Sequence, residues 1–87
     1  MKKIYKLTST RIDNNNSYIT EESYFTSKNK AIKSMEYLKQ YLIYNYALSA
    51  NNTIQTNYKE IQTYIIDNTF NVSLIEHNIK TLTLKYI

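Results

Sequence analysis

IQTYIIDNTFNVSL, residues 61–74, holds two runs rich in β-branched and aromatic side chains with Asp67-Asn68 between them. β-Branched and aromatic residues suit a pleated surface, and Asn and Asp tolerate the positive φ that a tight turn needs. The stretch therefore reads as a β-hairpin. With a two-residue turn at Asp67-Asn68, Ile65 faces Phe70, Thr63 faces Val72 and Ile61 faces Leu74, which makes one face largely apolar. A three-residue turn at His77-Asn78-Ile79 extends that face, pairing Leu74 with Leu82, Val72 with Leu84 and Phe70 with Tyr86. Two independent turns converge on one face, and that agreement favours a sheet. The outward face then carries Tyr64, Asn71, Ser73, Thr81, Thr83 and Lys85. Immediately upstream, Ile54, Tyr58, Ile61 and Ile65 also have helical spacing. This leaves residues 54–60 open between helix and loop.

Toward the N-terminus, Ser27 has the chemistry of a helix cap, since its hydroxyl can accept an otherwise orphan backbone N–H. No glycine or proline interrupts Lys28 to Ala50, and Ala31, Met35, Leu38, Leu42 and Tyr46 fall on one stripe at about 100° per residue. A long helix packing that stripe on the sheet is expected, with Asn51 or Asn52 supplying the left-handed residue at its end. Ile4–Ile12 and Ser17–Phe25, joined by Asp13-Asn14-Asn15-Asn16, read as a second hairpin in which Leu7 faces Phe25 and Arg11 faces Glu21. The expectation is a single α+β domain over residues 1–87, order ββαβββ, with an antiparallel sheet and one long helix on one face.

Composition limits the chemistry. Ile, Asn, Lys and Tyr number 12, 11, 10 and 10 and make up 43 of the 87 residues, while Gly, Pro and Cys are absent. The four abundant residues share AT-rich codons and the two missing turn-formers have GC-rich ones, so an AT-rich genome accounts for part of the bias. Without cysteine there are neither disulfides nor thiolate ligands. Without glycine, the phosphate-cradling and dinucleotide-binding loops have no backbone that can approach a phosphate closely enough. The sole histidine, His77, sits in an expected turn, and the seven carboxylates are scattered. Glu21 and Glu22 are adjacent in a strand and point to opposite faces. These features point away from catalysis and from bound metals or cofactors. No apolar run reaches the roughly 20 residues needed to span a bilayer. Met1-Lys2-Lys3 leads into polar sequence rather than a signal peptide, so a cytoplasmic setting is expected. The formal net charge of +4 excludes acidic mimicry of DNA and permits contact with phosphates or an acidic protein patch.

The far side of the helix supplies the candidate site. With Tyr37 at zero, Lys30, Lys33, Tyr41 and Tyr44 lie within about 40° of it, while the core stripe centres about 130° away. Tyrosine is amphipathic and enriched in binding hot spots, and lysine beside aromatic faces suits stacking on bases next to phosphates. The strip Lys30, Lys33, Tyr37, Tyr41 and Tyr44 is therefore read as a partner-binding surface. The possible partners are a protein or ribonucleoprotein complex, a nucleic acid, or a second copy through an aromatic seam. Solvation of a surface enriched by codon bias is the competing reading. Lys2, Lys3 and Lys6 form a basic N-terminal cluster read as a solvated end, and the tip at Asp13–Asn16 is read as a plain turn.

The elements Lys3-Ile4-Tyr5-Lys6-Leu7, Tyr24-Phe25-Thr26-Ser27-Lys28-Asn29-Lys30-Ala31 and the Leu/Tyr helix that follows are similar in style and length to small phage and mobile-element proteins of the anti-CRISPR type. That resemblance implies a non-enzymatic inhibitor acting on a host or defence complex in an infected or carrier bacterial cell. It transfers no functional residue to any position here. The positive charge departs from the acidic DNA mimics and suits contact with a protein or guide-RNA surface.

Overall fold

The computed structural model describes residues 3–13, 16–58 and 61–78. Their order is β1 (Lys3–Ile12), β2 (Ser17–Phe25), α1 (Lys28–Asn45), a single 3-10 turn (Ala50–Asn52), β3 (Thr53–Tyr58), β4 (Ile61–Ile66) and β5 (Phe70–Asn78). The strands form one antiparallel sheet in the order β2-β1-β5-β4-β3, and α1 lies across one face of it, mainly over β5 and β1. The α+β class and the ββαβββ order agree with the sequence reading.

β5 is central because its alternate residues Phe70, Val72 and Leu74 are the most apolar run available to face a helix. All three are buried, together with Leu7 from β1, Tyr64 and Ile66 from β4, and Ala31, Met35, Leu38 and Leu42 from α1. The helical stripe thus holds for four of its five members. Tyr46 is half exposed, but its ring packs on Phe70 with centroids 4.9 Å apart, and the Arg11 guanidinium lies 5.4 Å from each ring. Ser27 caps α1 as expected, its hydroxyl accepting from Lys30 N–H at 3.4 Å. The helix ends earlier than the sequence suggests, and Ala47, not Asn51 or Asn52, takes the left-handed conformation at φ 51°. Tyr46 N–H donates to Leu42 O at 3.1 Å and Leu48 N–H to Ile43 O at 3.0 Å. The six-residue closure, with Ile43 and Leu48 both packed against the core, outweighs the cost of a β-carbon at positive φ.

Five details differ from the sequence reading. The turn after β4 uses three residues, with Asp67 and Asn68 at φ 48° and 53° and Thr69 N–H donating to Ile66 O at 2.9 Å. Ile66 therefore faces Phe70 and Tyr64 faces Val72, so Ile61 and Ile65 point away from the helix and Tyr64 points into the core. A one-residue slip inverts a strand because its side chains alternate with period two. Residues 53–58 are a strand, neither helix nor loop. β5 runs through His77, which sits opposite Ile4 in β1 and not in a turn. The edge of β5 that the pairs Leu74–Leu82, Val72–Leu84 and Phe70–Tyr86 would require is occupied by β1, with Leu7 opposite Leu74. Residues 79–87 themselves lie outside the described residues. Finally, Leu7 faces Ser23, Tyr5 faces Phe25 and Arg11 faces Tyr18, with a bulge between Ser9 and Thr10. At that bulge Thr20 hydroxyl donates to Ser9 O at 3.2 Å and to Ser9 Oγ at 3.0 Å, which satisfies the buried Ser9 hydroxyl.

Candidate functional site

Because α1 is joined to β2 only by Thr26 and Ser27, the two run antiparallel side by side. The residues of β2 that face the helix side include Glu21 and Ser23, which are polar and offer α1 no apolar seat. The helix instead lies over β5 and β1, leaving a gap along β2. This gap is a groove of about 340 Å³ lined by residues that include Leu7, Phe25, Leu38, Tyr37, Tyr41 and Glu21. Two members of the exposed strip of α1, Tyr37 and Tyr41, wall it on the helix side. Tyr37 and Tyr41 are stacked, with ring centroids 6.5 Å apart and planes at 25°. They are 73% and 48% exposed, and Tyr44 beyond them is 86% exposed. Lys33 and Lys30 are exposed one and two turns closer to the helix start, and neither forms an ion pair with a carboxylate among the described residues.

The structure therefore places all five strip residues on one solvent-facing side of α1. The wheel located them correctly but gave no sign of the groove. Glu21, Ser23 and Phe25 were missed because the sequence reading treated β2 as an ordinary half-buried strand. The polar identity of Glu21 and Ser23 at helix-facing positions was the available signal, and it acquires meaning only once the register is known.

Other charged groups serve the scaffold. The Tyr64 hydroxyl donates to the Glu36 carboxylate, Lys39 pairs with Glu36 at 2.9 Å, and the Lys39 ammonium sits 4.5 Å from the Tyr64 ring centroid. Burial first and the Glu36 carboxylate second push the Tyr64 hydroxyl up to about 12. The Tyr64 hydroxyl and then Lys39 hold Glu36 below the ordinary carboxylate range. Tyr64 is thus protonated and Glu36 ionised at neutral pH, an arrangement that pins α1 to β4. At the other end of the sheet, Lys3 pairs with Glu76 at 2.9 Å and Lys6 with Glu22 at 3.5 Å. Two members of the basic N-terminal cluster are therefore strand residues with carboxylate partners and do not form a loose end. Lys2 lies outside the described residues. At the β1–β2 tip, Asp13 N–H donates to Asn16 O at 2.9 Å, and Asn14 and Asn15 lie outside the described residues.

Among the described residues, no group of three or more His, Cys, Asp or Glu side chains is placed to hold a metal ion, and no helix is long and apolar enough to cross a membrane. No family model matches the chain, no curated protein is significantly similar to it, and no solved structure is significantly similar to its fold.

Proposed function

We propose that the protein acts by stoichiometric binding, docking a macromolecular partner along the α1 strip and the groove behind it. The observation that carries this reading is the stacked, exposed pair Tyr37 and Tyr41 walling a partly apolar groove, with two lysines one and two turns away that pair with no carboxylate among the described residues. Holding large aromatic rings in water forgoes burial of about 150–250 Å² per side chain, and a partner that covers them recovers it. Lys30 and Lys33 favour a partner with carboxylates or phosphates beside an apolar ridge. The biological form that the stylistic resemblance suggests is a phage-encoded inhibitor, anti-CRISPR-like, seated on a protein or guide-RNA surface of a host or defence complex.

The test is capture from lysate of an AT-rich bacterial host, comparing the wild type with Tyr37→Ser/Tyr41→Ser, followed by titration of the recovered complex. A specific complex that saturates at a fixed ratio and is lost in the double variant is expected. Recovery of no specific partner, or equal recovery by the variant, would refute the reading.

A nucleic-acid partner is the second reading. It is favoured by the same pairing of stacked aromatic faces with nearby lysines, which suits a base on a ring and a phosphate at an ammonium. It is separated from the first by measuring affinity for short RNA and DNA alone, which falls steeply with added salt if phosphates dominate. Absence of binding at low salt disposes of it.

A further inference from the structure

The three-residue turn after β4 changes the sheet face that α1 does not cover. It sends Ile61 and Ile65 outward, where Ile75 of β5 joins them, and β3 adds Ile54 and Tyr58. Register places these side chains side by side, with Ile54 opposite Ile65, Tyr58 opposite Ile61, and Ile61 opposite Ile75. Ile54, Tyr58 and Ile61 are 55%, 67% and 37% exposed, and no described element packs over this face. Isolated exposed apolar residues are ordinary, but a contiguous patch of five marks a contact surface.

The patch has relief. Ile54 and Ile65 form one ridge, and Tyr58, Ile61 and Ile75 form another. Between them runs a trough of small side chains, Thr56, Thr63 and Ser73, in which the Thr63 and Ser73 hydroxyls lie 3.4 Å apart. Residues two apart along a strand are separated by about 6.8 Å, the width that one row of aliphatic side chains from a facing sheet fills. A ridge on this surface therefore fits a trough on an identical one.

Charge and area select the occupant. The patch carries no charged side chain. Among the described residues, the nearest on this face, Lys6, is already paired with Glu22. A neutral surface offers nothing to attract an acidic or basic partner, and it lets a second copy approach without burying like charges. The whole open face, five strands about 4.8 Å apart and about 20 Å long, gives a footprint of roughly 500 Å², below the roughly 800 Å² per partner of a standard stable interface and of the size of a weak, concentration-dependent dimer. The isoleucines supply the apolar centre, and the Lys6–Glu22 pair lies at a polar edge beyond Ile75.

We propose that the face of the sheet opposite α1 is the contact surface for a second copy of this chain, the two sheets packing face to face about a two-fold axis with Ile54, Tyr58, Ile61, Ile65 and Ile75 at the centre. This rests on the open face alone and is independent of the reading of the α1 strip.

Sedimentation equilibrium of the full chain from micromolar to submillimolar concentration tests it. A monomer–dimer equilibrium is expected. Ile54→Lys/Ile61→Lys, which would bury charge in the contact, should weaken dimerisation by about 100-fold or more. Ile54→Thr/Ile61→Thr keeps β-branching, guards against loss of the fold, and should weaken it by about 10-fold. Circular dichroism should be unchanged in both. Tyr37→Ser/Tyr41→Ser should dimerise like the wild type. A wild type that stays monomeric throughout overturns the proposal. So does a dimer that survives both isoleucine double variants, or one that is lost in the tyrosine variant alone.

Discussion

Replacing Tyr64 with Phe removes one oxygen and tests the register of β4. In the structure Tyr64 is 5% exposed and donates its hydroxyl to Glu36. A hydrogen bond to a charged acceptor contributes about 1.5–3 kcal/mol net, but Glu36 keeps Lys39 and is partly solvated, so the loss should be about 1–2 kcal/mol. In a domain of this size that lowers the melting temperature by roughly 5–15 °C. The pH dependence gives a second readout. Between the ordinary tyrosine value near 10 and the folded value of about 12, the unfolded chain releases this proton while the folded chain retains it. The unfolded state then binds fewer protons, so stability falls as pH rises. The contribution is intact below pH 10 and is gone above pH 12; its ceiling is about 3 kcal/mol. Urea denaturation of both proteins from pH 7 to 11 should show a gap that narrows above pH 10, because only the wild type loses this component. Equal stability at pH 7 with parallel curves would place Tyr64 in solvent and restore the register in which Ile65 faces Phe70. Ile66→Ala and Ile65→Ala then give the complementary check. Ile66 is fully buried, and its truncation should cost about 2–5 kcal/mol, against about 1 kcal/mol for partly buried Ile65. The reverse order would refute the same reasoning.

Ala47→Gly should raise stability by roughly 1 kcal/mol, seen as a higher urea midpoint with unchanged slope, because glycine adopts φ 51° without the β-carbon penalty. A lower midpoint would show that the alanine methyl contributes more in packing than it costs in strain. Glu36→Gln should flatten the acid limb of the stability profile. The carboxylate held down by Tyr64 and Lys39 stabilises the fold above its ordinary value near 4.3, and that contribution disappears as pH falls through the lower folded value. An unaltered acid limb in urea melts between pH 2 and 6 would exclude Glu36 as an acid-sensitive anchor.

Local features of the chain account for the helix. Ser27 caps it, Ala31, Met35, Leu38 and Leu42 face the sheet, and Lys30, Lys33, Tyr37, Tyr41 and Tyr44 share the opposite side, all from a periodicity of about 3.6 residues that survives any small error at the ends. Its C-terminus was misplaced because alanine gives no turn signal, and the Ile43–Leu48 closure that compensates at Ala47 is a packing effect. β3 was hidden by an ambiguity of pattern, since Ile54 and Tyr58 are four apart and fit either a helix or alternate positions on one strand face. The groove beside Tyr37 and Tyr41 exists only because α1 settles on β5 and β1, not β2.

The sequence by itself determined the α+β class, the first hairpin, the phase of α1, the strands on either side of Asp67-Asn68 and the exclusion of glycine-dependent phosphate chemistry, all of which follow from composition and short-range periodicity. Tertiary structure alone decided that Lys3–Ile12 would lie against Phe70–Asn78 and which side of β4 would face the helix. The first is a contact between distant segments, with no local signal to announce it. The second turns on one extra residue between Ile66 and Phe70. With side chains alternating every second position, that residue exchanges Tyr64 for Ile65 in the core and moves isoleucine to the open face.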